Sequence, residues 1–253
     1  MRERLSARDW AILNDLDRLR VLSADHLEHL HFSSLTGRSR EVVRGRVLRR
    51  LAAWRVITPL GRRIGGAQRG SSRTIWTLDT AGQRLVCERR AANQPTARLR
   101  RPAKIGERFL VHALAVAELY VMAITGAAET GMRLAAFEAE PRWPDGLGGW
   151  LKPDAYLMVD TESGRWHFWV EVDRATESLP TIRRKLDSYL DFYQRGQLRP
   201  NGIMPRVLVS TITKQRREAI RDLVAHLPEP AGELFVVTLD RNALLALLSA
   251  VKE

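Results

Sequence analysis

Apolar positions recur at helical spacing in three segments at the start of the chain. Trp10, Ile12, Leu13, Leu16 and Leu19 follow Ser6-Ala7-Arg8-Asp9, a capping-box-like start with Asp in place of Glu. Ser23 can cap a short second helix carrying Leu27 and Leu30. Ser39 can cap a third, predicted over 39–54, in which Val43, Val47, Leu51 and Trp54 form the inward stripe. The pattern then changes to that of a hairpin: a strand over 56–60, a glycine- and arginine-rich turn over 61–72, and a return strand over 74–78. Thr80-Ala81-Gly82 opens another helix. Beyond 104 the pattern predicts a helix over 105–123, strands over 132–140, 151–159 and 166–173, and a helix over 179–194. A strand over 206–211, a helix over 214–226, a strand over 234–239 and a helix over 241–251 complete it. That order, α-β-β-β-α-β and then α-β-α, predicts a mixed sheet flanked by helices.

Charge divides the chain in the same way. Residues 1–104 hold 23 of the 41 Lys and Arg but 9 of the 29 Asp and Glu, leaving +14 there and −2 on the remainder. A basic segment beside a near-neutral one points to a polyanion-binding module joined to a module with another task. Three helices and a basic hairpin predict a winged helix-turn-helix over 1–88, which would bind double-stranded DNA with the 39–54 helix in the major groove. On that helix Arg46 and Arg49 project most directly away from the stripe, with Arg40, Arg44 and Arg50 on its flanks. Arg62, Arg63, Arg69 and Arg73 would bring the hairpin to phosphate or the minor groove. A basic linker over 89–104, with Pro95 and Pro102, leads to an α/β (α+β) domain over 105–253.

In that second domain the acids occupy informative positions. Asp154 follows Pro153 at the start of one strand, and Glu171 and Asp173 end the next. Alternation puts Glu171 and Asp173 on one face, with His167 and Trp169 behind them. Pairing of the two strands through Glu162-Ser163-Gly164 would bring Asp154 close. Clustered carboxylates repel, and a divalent cation between them relieves the cost. Mg2+ or Mn2+ held in this way can activate water against a phosphodiester.

Pro153-Asp154 and Glu171-Val172-Asp173, in an α-β-β-β-α-β frame, resemble the signature of the PD-(D/E)XK nuclease superfamily. The resemblance covers Ile105 to about Thr211. It implies a metal-dependent deoxyribonuclease with Asp154, Glu171 and Asp173 as metal ligands. Asp173 stands where the signature has lysine. Lys185, on the inward stripe of the 179–194 helix, is the candidate for a migrated lysine, with Arg174 as a second cation for phosphate charge. His112, Glu107 and Glu118 on the 105–123 helix are candidates for a further acid site. The whole chain resembles the replication-relaxation proteins more closely. The matching stretches are Val111-His112-Ala113-Leu114-Ala115-Val116, Lys152-Pro153-Asp154-Ala155-Tyr156-Leu157, Trp169 to Ser178, and Lys185-Leu186-Asp187-Ser188-Tyr189. That resemblance implies a DNA protein of plasmids, phages or other mobile elements.

Other signals are weaker. His26, His29 and His31 lack a nearby cysteine or fourth ligand for a tetrahedral site. The 61–70 stretch lacks the Gly-Lys-Ser/Thr ending of a P-loop. Cys87 is the single cysteine, so no intramolecular disulfide forms. No apolar run approaches the ~20 residues that span a bilayer, and MRERLSARDW has no signal-peptide core. The expectation is a cytoplasmic protein without a membrane partner. The competing expectation is a regulator of replication or transcription, its degenerate nuclease fold used to form a homodimer or to bind other replication or mobile-element proteins.

Overall fold

The computed structural model describes residues 2–60, 74–91, 106–196 and 202–251, and the chain divides into two compact units, Met1–Val121 and Met122–Glu253. In the first, Ser6 caps α1 (Ala7–Leu19): the Ser6 N–H donates to Asp9 Oδ2 at 2.9 Å and the Asp9 N–H to Ser6 Oγ at 3.2 Å. β1 (Leu22–Ser23) and α2 (Ala24–His31) follow, with Ser23 as the α2 cap. Next come α3 (Gly37–Ala53), β2 (Ile57–Leu60), β3 (Ile75–Leu78) and α4 (Thr80–Ala91). The three strands form an antiparallel sheet of order β1-β3-β2. Ile12, Leu13, Leu16, Leu27 and Leu51 are fully buried beneath it. Gly82 is required where α4 starts: a Cβ there would lie 2.0 Å from the Val56 carbonyl oxygen.

The inward face of α3 differs from the expected stripe. Val47, Leu48 and Leu51 are buried together with Arg44, whereas Val43 and Trp54 are half-buried. Thr36, not Ser39, occupies the N-cap position.

α5 (Glu107–Thr130) has residues in both units. Its Leu110 and Ala113 pack with Val21 and Ile75 in the first unit, although the sequence pattern assigns the whole helix to the second domain. With a mean hydropathy of 1.7 over Glu107–Gly126, this helix is long and apolar enough to cross a membrane. That corrects the expectation that no apolar run nears such a length. In the fold its Leu110, Ala117, Tyr120 and Ala123 are buried in protein.

The second unit is a mixed α/β layer structure. β4 (Arg133–Ala139), β7 (Ala155–Thr161) and β8 (Gly164–Asp173) pair antiparallel, and β9 (Arg206–Thr211) and β10 (Phe235–Leu239) extend the sheet parallel to β8. The order is β10-β9-β8-β7-β4. Parallel neighbours need crossovers, supplied by α6 (Leu179–Gln194) and by α7 (Lys214–Ala225) with α8 (Ala231–Leu234). α6 matches its sequence boundaries because Ser178 caps it, Pro180 sits in its first turn, and Ile182, Leu186 and Tyr189 share one buried stripe. That stripe packs with Trp169, Val207 and Val209 on one sheet face. α9 (Ala243–Ala250) packs against β9 and β10. A hairpin of β5 (Trp143–Pro144) and β6 (Trp150–Leu151) was not visible in the pattern. It takes Leu151 out of the strand expected over 151–159, because Pro153 breaks the ladder before β7.

Candidate functional site

The candidate residues fall in two regions. On α3, Arg38, Val42, Arg46 and Arg49 are exposed and fall on one side of the helix. Gly45 lies among them with open space above it. The flanking arginines are engaged within the unit. Arg44 is buried and pairs with Glu28, its Nη1 also 3.7 Å from Asp25 Oδ1. Arg50 donates through Nη2 to both oxygens of the buried Asp9, at 2.6 and 2.7 Å, and lies over the Trp54 ring. Arg40 donates Nε–H to the Leu35 carbonyl at 2.6 Å. Arg44 and Arg50 therefore support the fold, and Arg46 and Arg49 face solvent. Arg62, Arg63, Arg69 and Arg73 lie outside the described residues.

On the second unit, Glu171 is 8% exposed and sits beneath α6. Tyr189 donates its hydroxyl to Glu171 Oε1 at 2.5 Å, and Lys185 Nζ donates to Oε2 at 3.3 Å. The Lys185 ammonium also lies 2.9 Å from Glu177 Oε2. Asp154 accepts the Val172 N–H on Oδ2 at 2.8 Å, on the strand beside Glu171. Burial first, and the Asp154 charge second, push the Glu171 carboxyl up to about 7, against the pull of Lys185 and Tyr189. Burial works to lower the Lys185 ammonium, but Glu171, Glu177 and Asp154 outweigh it and hold it above its ordinary value. Asp154, Glu171 and Lys185 thus form one interacting cluster, in which the lysine reaches the acid from the following helix.

Asp173 does not join it. Arg216, in the first turn of α7, donates Nε–H to Asp173 Oδ2 at 2.7 Å and Nη2–H to Oδ1 at 3.2 Å. Thr211 Oγ1 and the Ala175 N–H complete the shell, at 3.0 and 3.1 Å. Its acceptor positions are used by protein donors, so Asp173 does not fit a metal. Arg174 is also directed elsewhere, donating to Asp240 Oδ2 at 2.5 Å. Among the described residues no group of three or more His, Cys, Asp or Glu converges as a metal site. The partial fit is the pair Asp154 and Glu171.

The candidate acid Glu118 belongs to the first unit. His26 accepts the Ser23 N–H on Nδ1 at 3.4 Å, which leaves the Nε2 proton for Glu118 Oε2 at 2.9 Å. That hydrogen bond holds the Glu118 carboxyl below the usual carboxylate range. His31 lies 3.2 Å from Asp15, and His29 bonds the Asp25 carbonyl, so the three histidines have separate partners. Sequence reasoning missed Arg216, Glu177 and the part played by Tyr189. Tyr189 was findable, because it stands four residues after Lys185 on the same stripe. Arg216 carries no such mark; the β9–α7 turn returns it to the end of β8.

The raised Glu171 carboxyl has a consequence for stability. As pH rises, the unfolded chain loses this proton in the ordinary carboxylate range while the folded protein keeps it to about pH 7. Folding therefore binds a proton in that window. The Glu171 contribution to stability is full below the ordinary range and is lost by about pH 7, at no more than roughly 1.4 kcal/mol per pH unit. Glu171→Gln should remove this slope. Urea midpoints of wild type and variant, compared across the window, should converge at its acid end and separate in favour of the variant at pH 8.

The family model of the replication-relaxation proteins matches residues 13–207. The chain belongs to the replication-relaxation family. The match runs from α1 into β9, so it takes in Asp154, Glu171, Asp173 and Lys185 and stops short of Arg216. No curated protein and no solved structure was found to match. The family name points to a part in replication or relaxation.

Proposed function

We propose that this replication-relaxation protein binds duplex DNA through α3 and acts on phosphodiesters through the Asp154–Glu171–Lys185 cluster. The observation that carries the reading is Lys185 Nζ at 3.3 Å from Glu171, delivered by the helix after the acid-bearing strand. It supports a PD-(D/E)XK-type site with a migrated lysine. Asp154 and Glu171 would hold Mg2+ or Mn2+, which would supply charge neutralisation and an activated water. Lys185 is positioned to donate to a phosphate oxygen, and its pairing with Glu171 and Glu177 keeps it protonated.

On the first unit, the element order α1-β1-α2-α3-β2-β3-α4 supports a winged helix. α3 would enter the major groove with Arg46 and Arg49 toward base edges. The full chain should then bind duplex DNA with an affinity that falls tenfold or more between about 50 and 200 mM salt. Arg46→Ala with Arg49→Ala should weaken binding, whereas Arg44→Ala should lower stability instead. Absent or salt-insensitive binding in a gel-shift series would end the reading.

A second reading has its own support. Tyr189 and Lys185 already occupy both Glu171 oxygens, and Asp173 is locked by Arg216. These features favour a retired nuclease fold kept for regulation, dimerisation or partner binding. Supercoiled plasmid with Mn2+ separates the two: nicking supports the enzyme, and intact plasmid under conditions of tight binding supports the regulator.

A further inference from the structure

The β5–β6 hairpin is built to present an aromatic ring to solvent. Its base is anchored. The Trp143 ring lies 5.8 Å from Tyr156 and 6.3 Å from Trp169, and Leu151 joins the core that includes Trp169 and Tyr189. Its tip is ordered by Asp145, whose Oδ1 accepts the Leu147 and Gly149 N–H groups at 2.8 Å each. The Leu147 amide, first among its partners, holds the Asp145 carboxyl below the usual range. Gly146 and Gly148 have φ of 77° and 86°, and a Cβ on Gly149 would meet Asp145 Oδ2 at 2.3 Å, so the turn requires its glycines. Arg195 braces the loop by donating to the Asp145 carbonyl at 3.4 Å.

On this rigid support Trp150 is 53% exposed and Leu147 74% exposed. The cations Arg142 and Lys152 flank the hairpin, exposed and without an ion pair among the described residues. Trp150-Leu151-Lys152-Pro153-Asp154 run consecutively, so the hairpin leads directly to the cluster acid that precedes β7. Trp143, Trp169 and Tyr189 pack in sequence toward Glu171, which puts the hairpin on the same side of the sheet as Lys185.

We infer that the hairpin is a base-stacking post: Trp150 takes an unpaired nucleobase of single-stranded DNA on its indole face, with Arg142 and Lys152 on the adjoining phosphates. This rests on the reading of the second unit as one that acts on DNA. Every base offers a π-face to an indole, so such stacking tolerates any sequence, and flanking cations track the strand. The two exposed cations beside the ring, Arg142 and Lys152, favour a polyanion over an apolar protein surface. Stacking needs a base free of its pair, so the substrate would be a strand already opened or nicked.

The test uses the full chain, with a short oligothymidylate and a duplex as separate probes. Trp150→Ala should weaken oligothymidylate binding about tenfold, abolish part of the fluorescence quench, and leave duplex affinity unchanged. Trp150→Phe should recover most of the loss. Arg142→Ala with Lys152→Ala should reduce the salt slope on oligothymidylate by about 1.4, near 0.7 for each lost contact. Oligothymidylate binding indifferent to Trp150→Ala, with the duplex still bound, overturns the inference and leaves the wider reading standing. A wild type that binds neither probe overturns both. A change in sedimentation with Trp150→Ala would show that a second copy of the chain covers the ring, and overturns it as well.

Discussion

If the second unit cleaves DNA as proposed, Glu171→Gln and Lys185→Ala should each remove nearly all of that metal-dependent cleavage, by about 10²–10⁴-fold for the acid and 10²–10³-fold for the lysine. Both residues touch the same point: the lysine ammonium sits on the Glu171 carboxylate and on Glu177. Neither substitution touches α3, so duplex affinity should stay at the wild-type value. Glu171→Gln keeps the Tyr189 hydrogen bond and removes a buried, repelled charge, so the fold should survive it. Plasmid nicking measured beside duplex binding reads the two effects separately. Full activity in either variant would leave the cluster without a catalytic part.

Arg216→Ala should cost about 3–5 kcal/mol of stability, the cost expected when one partner of a buried ion pair is removed. The side chain of Asp173 is 2% exposed and that of Arg216 14%. Loss of the guanidinium leaves the carboxylate with only Thr211 and the Ala175 N–H. Arg216 also donates Nη2–H to the Glu177 carbonyl at 2.8 Å, and Glu177 holds Lys185. The variant should therefore disturb the lysine as well as the fold. Urea unfolding without and with Mn2+ measures this. Rescue by Mn2+ would mean that Asp173 can serve as a metal ligand after all; an equal loss in both conditions fits a structural acid.

Much of the second unit was legible because local rules act within short windows. Ser178, Pro180 and the 182-186-189 stripe define α6 by capping and periodicity alone. The run Gly164–Asp173 alternates, so Glu171 and Asp173 had to share a face. The migrated lysine was readable for the same reason: Lys185 stands on the stripe that must meet the sheet. The hairpin at Trp143–Leu151 was not readable, since two-residue strands leave no period to detect.

The sequence by itself determined the faces of β8 and α6 on which Glu171, Asp173 and Lys185 lie, and the imbalance of charge between the two parts of the chain. Only the tertiary structure decided their partners. Glu171 and Asp173 are equivalent by alternation, yet α6 brings Lys185 to one and the β9–α7 turn brings Arg216 to the other. Arg44 and Arg46 are equal by composition, yet Glu28 of α2 draws Arg44 inward and leaves Arg46 in water. Periodicity acts along one element, within a few residues. Ion pairing acts through space, between residues that the crossovers bring together from distant parts of the chain, and no local pattern records which cation will arrive.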